Sequence, residues 1–87
     1  MTEAEKLREG QDLIARELQK KGADWIDTIY WEQTPHEQAA RIHRLVVLRG
    51  GEKYIFTFTE YELLEDHGSR EWKKQMRIHV GEILMEF

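Results

Sequence analysis

The sequence contains no cysteine, a single proline and a single serine. The missing thiols exclude disulfides, thiolate nucleophiles and cysteine-ligated zinc together, and such a chain suits a reducing cytoplasm. Ser69 is the one candidate for serine chemistry, and helix capping explains it below. No window approaches the roughly 18 apolar residues of a membrane span. The opening MTEAEKLREG is charged from residue 3, unlike the basic start and apolar run of a secretory signal. Glycine/serine linkers, low-complexity runs and internal repeats are missing too, so residues 1–87 read as a single domain with one core. Excess positive charge is also lacking. Thirteen Lys and Arg stand against 17 Asp and Glu, a formal net charge of -4, which counts against a generic polyanion binder without excluding a local basic patch.

What the sequence does have is concentrated apolar surface. The stretch GADWIDTIYW (22–31) holds Trp25, Ile26, Ile29, Tyr30 and Trp31. Side chains alternate across a strand. One parity therefore carries Trp25, Ile29 and Trp31, the other Ile26 and Tyr30, and the alternation does not say which faces out. Ahead of it, TEAEKLREGQDLIARELQKKG predicts a helix. Thr2 and Glu5 have capping-box spacing, Gly22 fits the position past the end, and Lys20 and Lys21 suit the negative pole. Its apolar stripe is narrow: Ala4, Leu7, Ile14 and Leu18, with Gln11 among them.

Thr34, Pro35 and Glu37 suit a short helical turn. Beyond it, RIHRLVVLRGGEKYIFTFTEY places Gly50-Gly51 between two β-rich runs, the signature of a two-residue hairpin. Counting back from that turn pairs Val47 with Tyr54, Leu45 with Phe56 and His43 with Phe58 on one face, assigned to the core. The other face pairs Leu48 with Lys53, Val46 with Ile55, Arg44 with Thr57 and Ile42 with Thr59. Thr59 and Glu62 repeat the capping-box spacing, so EYELLEDH predicts a short helix stopped by Gly68. Ser69 then caps a last helix whose stripe is Trp72, Met76, Val80, Ile83 and Phe87; Gly81 inside it points to close packing. The fold expected is α+β: a three-stranded antiparallel β-meander with long N- and C-terminal helices on one face, in the order α-β-β-β-(short α)-α.

Chemistry is harder to find. His36, His43, His67 and His79 are the only imidazoles, and no three or four ligands converge by spacing, so they read as solvated or edge-of-core rings. Glu60, Glu62, Glu65 and Asp66 crowd one segment and read as a solvated face, because an acid/base pair needs carboxyls in separated environments. Neither a catalytic residue nor a metal or cofactor site is assigned, and the chain is read as no enzyme.

Arg70, Lys73, Lys74 and Arg77 cluster on the first half of the last helix. Together with EQTPHE and KKQMRIHVGEIL, this segment resembles two signatures of double-stranded RNA-binding domains, whose element order is similar. The resemblance implies Pro35 and His36 near a minor-groove loop, and Lys73, Lys74 and Arg77 at a phosphate-binding helix start. The sequence has Thr34 where that pattern has glycine, and about ten extra residues before the basic helix. Nucleic-acid binding through these four cations is the alternative. A solvated basic face that offsets the nearby Glu60, Glu62 and Glu65 is the plainer explanation, since polyanion binding wants several uncompensated cations.

The leading expectation is a small cytoplasmic, non-enzymatic protein-binding domain of adaptor, inhibitor or regulatory type, self-associating as a homodimer or binding another protein. Its contacts are Trp25, Tyr30, Trp31, Ile42, Val46 and Ile55, because three strands carry more apolar surface than two narrow helices cover.

Overall fold

A computed structural model describes residues 2–22, 24–32 and 41–86. The expected turn over Thr34, Pro35 and Glu37, the His36 position and the terminal Phe87 lie outside the described residues. The elements are α1 (Glu3–Gly22), β1 (Thr28–Trp31), β2 (Ile42–Arg49), β3 (Glu52–Thr59), α2 (Glu60–Leu64) and α3 (Arg70–Met85). The sheet is antiparallel in the order β1-β2-β3, as the alternation of the sequence predicts.

The hairpin fixes the register. Gly50 and Gly51 adopt φ of +55° and +83°, which residues with a Cβ rarely adopt and which match the strand twist. The pairs Val47–Tyr54, Leu45–Phe56, His43–Phe58, Val46–Ile55 and Ile42–Thr59 all form as the turn dictates. β1 adds to the far side of β2, with Ile29 opposite Val47 and Tyr30 opposite Val46.

One sheet face holds the core. Leu45, Val47 and Phe58 are buried there with Ile14 and Leu18 of α1, Leu63 of α2, and Trp72, Val80 and Ile83 of α3. Trp31 packs its ring edge-on against Phe58 at 5.4 Å and donates its indole N–H to the Gln11 carbonyl at 3.0 Å, tying β1 to α1. Among the described residues the principal extents are 36 × 32 × 18 Å. The short dimension is a sheet plus one layer of helices.

α1 differs from its sequence pattern at both ends. The capping box forms, with the Glu5 N–H donating to Thr2 Oγ1 at 3.2 Å. Ala4 is exposed, however, and the buried line runs Gly10, Ile14, Leu18, Gly22, one residue per turn. A Cβ on Gly10 would lie 2.4 Å from the Leu63 carbonyl oxygen, so α2 can cross α1 only over a glycine. Gly22 is the last helical residue, and a Cβ there would lie 2.5 Å from Ile26 Cδ1. Its role is packing, where the sequence suggests a cap.

α2 begins as predicted: Thr59 accepts from the Glu62 N–H, and Glu62 from the Thr59 N–H. It ends at Leu64, ahead of Gly68, because Glu65 is extended. The last carbonyls of a helix lack intrahelical donors. Here side chains supply them: Trp72 donates its indole N–H to the Glu62 carbonyl at 2.7 Å, and His67 Nε2 to that of Leu63 at 2.5 Å. A carbonyl only accepts, so the proton sits on Nε2. Ser69 caps α3 by accepting from the Trp72 N–H at 3.0 Å. Gly81 contradicts its sequence reading, since a Cβ there would meet nothing within 4 Å.

Candidate interaction surfaces

The outer face of the sheet carries Thr28 and Tyr30 of β1, Ile42, Arg44, Val46 and Leu48 of β2, and Lys53, Ile55, Thr57 and Thr59 of β3. Both long helices pack on the opposite face, and the buried core cluster includes none of these residues. Tyr30 is 42% exposed, Ile42 38% and Ile55 46%. Val46 sits on the central strand, flanked across the strands by Tyr30 and Ile55. It is fully buried although no helix among the described residues covers that face.

The sequence candidates therefore separate. Tyr30, Ile42 and Ile55 share the outer face, and Val46 forms its floor without presenting surface. Trp31 is on the inner face, held by Phe58 and Gln11. Trp25 is 49% exposed but lies before β1. Period-2 alternation fails there because the N–H groups of Trp25 and Ile26 both donate to the Gly22 carbonyl, making a turn. Ile26 is consequently buried in the core. The parity question has a mixed answer: Ile26, Ile29 and Trp31 face in, Trp25 and Tyr30 face out.

A second surface lies on α3. Arg70, Lys73, Lys74 and Arg77 are all exposed and line a shallow concavity with Gly68 and Ile78. The four cations are solvated, and Glu60 and Glu62 have other partners. Glu60 engages His43 at 3.4 Å and Arg41 at 4.0 Å, while Glu62 serves its capping box and lies 3.7 Å from His79 Nδ1. Among the described residues no ion pair reaches any of the four cations.

Sequence reasoning missed a third feature. A groove of about 290 Å³ opens between α2 and α3, floored by Phe58, Trp72 and Met76 and rimmed by Glu62, Glu65 and Glu82. His79 stacks on Phe58 at its edge with ring centroids 4.1 Å apart. The contact spans two elements far apart in sequence, and no local spacing signals it. His67 is buried against Trp72 with Nδ1 3.8 Å from Glu9. Among the described residues no group of three or more His, Asp and Glu converges as a metal site, and no helix is long and apolar enough to cross a membrane. At the hairpin, Tyr54 donates its hydroxyl to Glu52 at 2.5 Å. That hydrogen bond, with desolvation behind it, pushes the phenol above its usual value of 10.0.

Comparison with known proteins finds no matching family model, no matching curated protein and no matching solved structure.

Proposed function

We propose that the chain is a non-enzymatic, cytoplasmic protein-binding domain that works through the outer sheet face, and that its partner is a second copy. The observation that carries this reading is Tyr30, Ile42 and Ile55 standing half exposed on one sheet face, with both long helices on the other side. A sheet with one apolar face left open buries it against another layer, and two-fold homodimers are the commonest soluble assembly. The face also carries both signs of charge. Arg44 stays 54% exposed beside Glu32 at 3.7 Å, and Lys53 is exposed. A copy turned by a two-fold axis can match these charges without like facing like. The cysteine-free composition fits the cytoplasm.

The magnitude sets how the association is measured. Full burial of a large apolar side chain is worth about 1.5–3 kcal/mol, so finishing a half-buried one returns on the order of 1 kcal/mol. Three such residues from each copy give about 6 kcal/mol before ordering costs are subtracted, so the dimer is weak, with a Kd of roughly millimolar or above.

Sedimentation across a wide concentration range tests the reading. The wild type is expected to shift from one to two protomer masses. Ile55→Lys and Ile42→Lys stay monomeric with unchanged circular dichroism. A wild type that remains monomeric at the highest concentrations removes the proposal.

A further inference from the structure

We propose that the outward stripe of α3, formed by Arg70, Lys73, Lys74 and Arg77 and extended by Gly81, is a second binding surface that takes the phosphate backbone of a nucleic-acid duplex without reading its sequence. The inference is independent of self-association, since the stripe belongs to the helix layer and the sheet face to the other.

Three observations support it. The first is charge. All four cations are exposed, and among the described residues none has an acidic partner within 4 Å. The chain's net charge of -4 works against a polyanion elsewhere on the surface, and several uncompensated cations in one place are what counterion-release binding requires.

The second is geometry. Arg70, Lys74, Arg77 and Gly81 follow the i, i+4, i+7, i+11 spacing, a sector of about 60° on a row about 16 Å long. Acidic Glu71 and Glu82 lie on the adjoining sector, so a polyanion is confined to one side of the helix.

The third is Gly81 itself. Glycine inside a helix is unfavourable relative to alanine, and here no internal contact explains it, because the space around its missing Cβ is open. The opening continues the cationic row. A residue without a side chain lets an external backbone come close to the helix.

The same stripe argues for a duplex over other polyanions. It holds no aromatic ring on which unpaired bases could stack. Among the described residues that line the concavity, Ile78 is the one apolar side chain, too little to anchor an acidic peptide or enter a lipid surface. A straight, evenly spaced row of cations suits a rigid, evenly spaced row of phosphates.

The test uses the full chain and a fluorescent mixed-sequence duplex, as RNA and as DNA. Anisotropy is measured between 50 and 200 mM salt. Binding is expected at low salt and, for about four phosphate contacts, weakens roughly a hundredfold over that range. Lys74→Glu/Arg77→Glu abolishes it, whereas Arg16→Glu/Lys20→Glu, with the same change in net charge on α1, leaves it within a few-fold. Gly81→Ala raises the melting temperature and lowers duplex affinity, a combination that damaged folding does not produce. No binding at 50 mM salt overturns the proposal. So does equal loss in the α1 control, preference for single strands, or tighter binding to an acidic peptide or to anionic vesicles.

Discussion

Val46 and Val47 are neighbours on the central strand, identical in type and both fully buried. Their surroundings are opposite. Val47 points at the helices and belongs to the core cluster; Val46 points away and does not. Val47 faces a second layer, whereas Val46 has Tyr30 and Ile55 as its cross-strand neighbours and, among the described residues, no helix over it. Low exposure of one residue therefore does not show that a face is covered. What distinguishes the faces is the next ring outward: half-buried Ile29, Trp31 and Phe56 packed on the core inside, exposed Tyr30, Ile42 and Ile55 outside.

The sharpest way to break the comparison is to empty the inner face. Leu45 is fully buried at its centre, and Leu45→Ala is expected to cost about 2–5 kcal/mol in urea unfolding. A loss under about 1 kcal/mol would mean the helix layer packs loosely. The inner layer is tightest where α1 meets α2. Gly10→Ala improves helix propensity but drives a Cβ to 2.4 Å from the Leu63 carbonyl. The clash wins, with a net loss of about 1–3 kcal/mol by thermal unfolding; a gain would show that the two helices can part freely.

The valine pair tests the contrast itself. Val47→Ala leaves a void between layers and is expected to cost about 1–3 kcal/mol. Val46→Ala lets Tyr30 and Ile55 settle toward each other beside open water, so its cost is smaller, about 1 kcal/mol or less. Equal costs would say the outer face is as rigidly packed as the inner. The smallest effect belongs to Ile55→Lys, which is expected to change protomer stability by no more than about 0.5 kcal/mol while removing association.

Much of this was legible locally. The hairpin register follows from Gly50-Gly51 and strict alternation, and the caps at Thr2, Thr59 and Ser69 follow from spacing, because both signals act over a few residues. The parity of GADWIDTIYW was not legible. A turn held by the Gly22 carbonyl interrupts the strand at its start, and nothing in the residue types marks where pairing with β2 begins. The early end of α2 was hidden for a related reason: its carbonyl acceptors are satisfied by Trp72 and His67, which arrive from beyond the helix. The two mid-helix glycines are indistinguishable by sequence, yet Gly10 is required by a crossing backbone and Gly81 faces open space. The candidate surfaces divide likewise. Tyr30, Ile42 and Ile55 follow from the register, whereas the absence of acidic partners for the α3 cations among the described residues emerges only once Glu60 and Glu62 are seen engaged elsewhere.

The absence of cysteine allows a direct test of the outer face. A nitroxide on Thr57→Cys sits on that face, and one on Lys20→Cys sits on α1 in the helix layer. Pulsed dipolar spectroscopy at high protein concentration is expected to give a short, narrow distance between protomers from Thr57→Cys and a much longer one from Lys20→Cys. A dipolar signal from Thr57→Cys no different from randomly dispersed molecules would contradict the account.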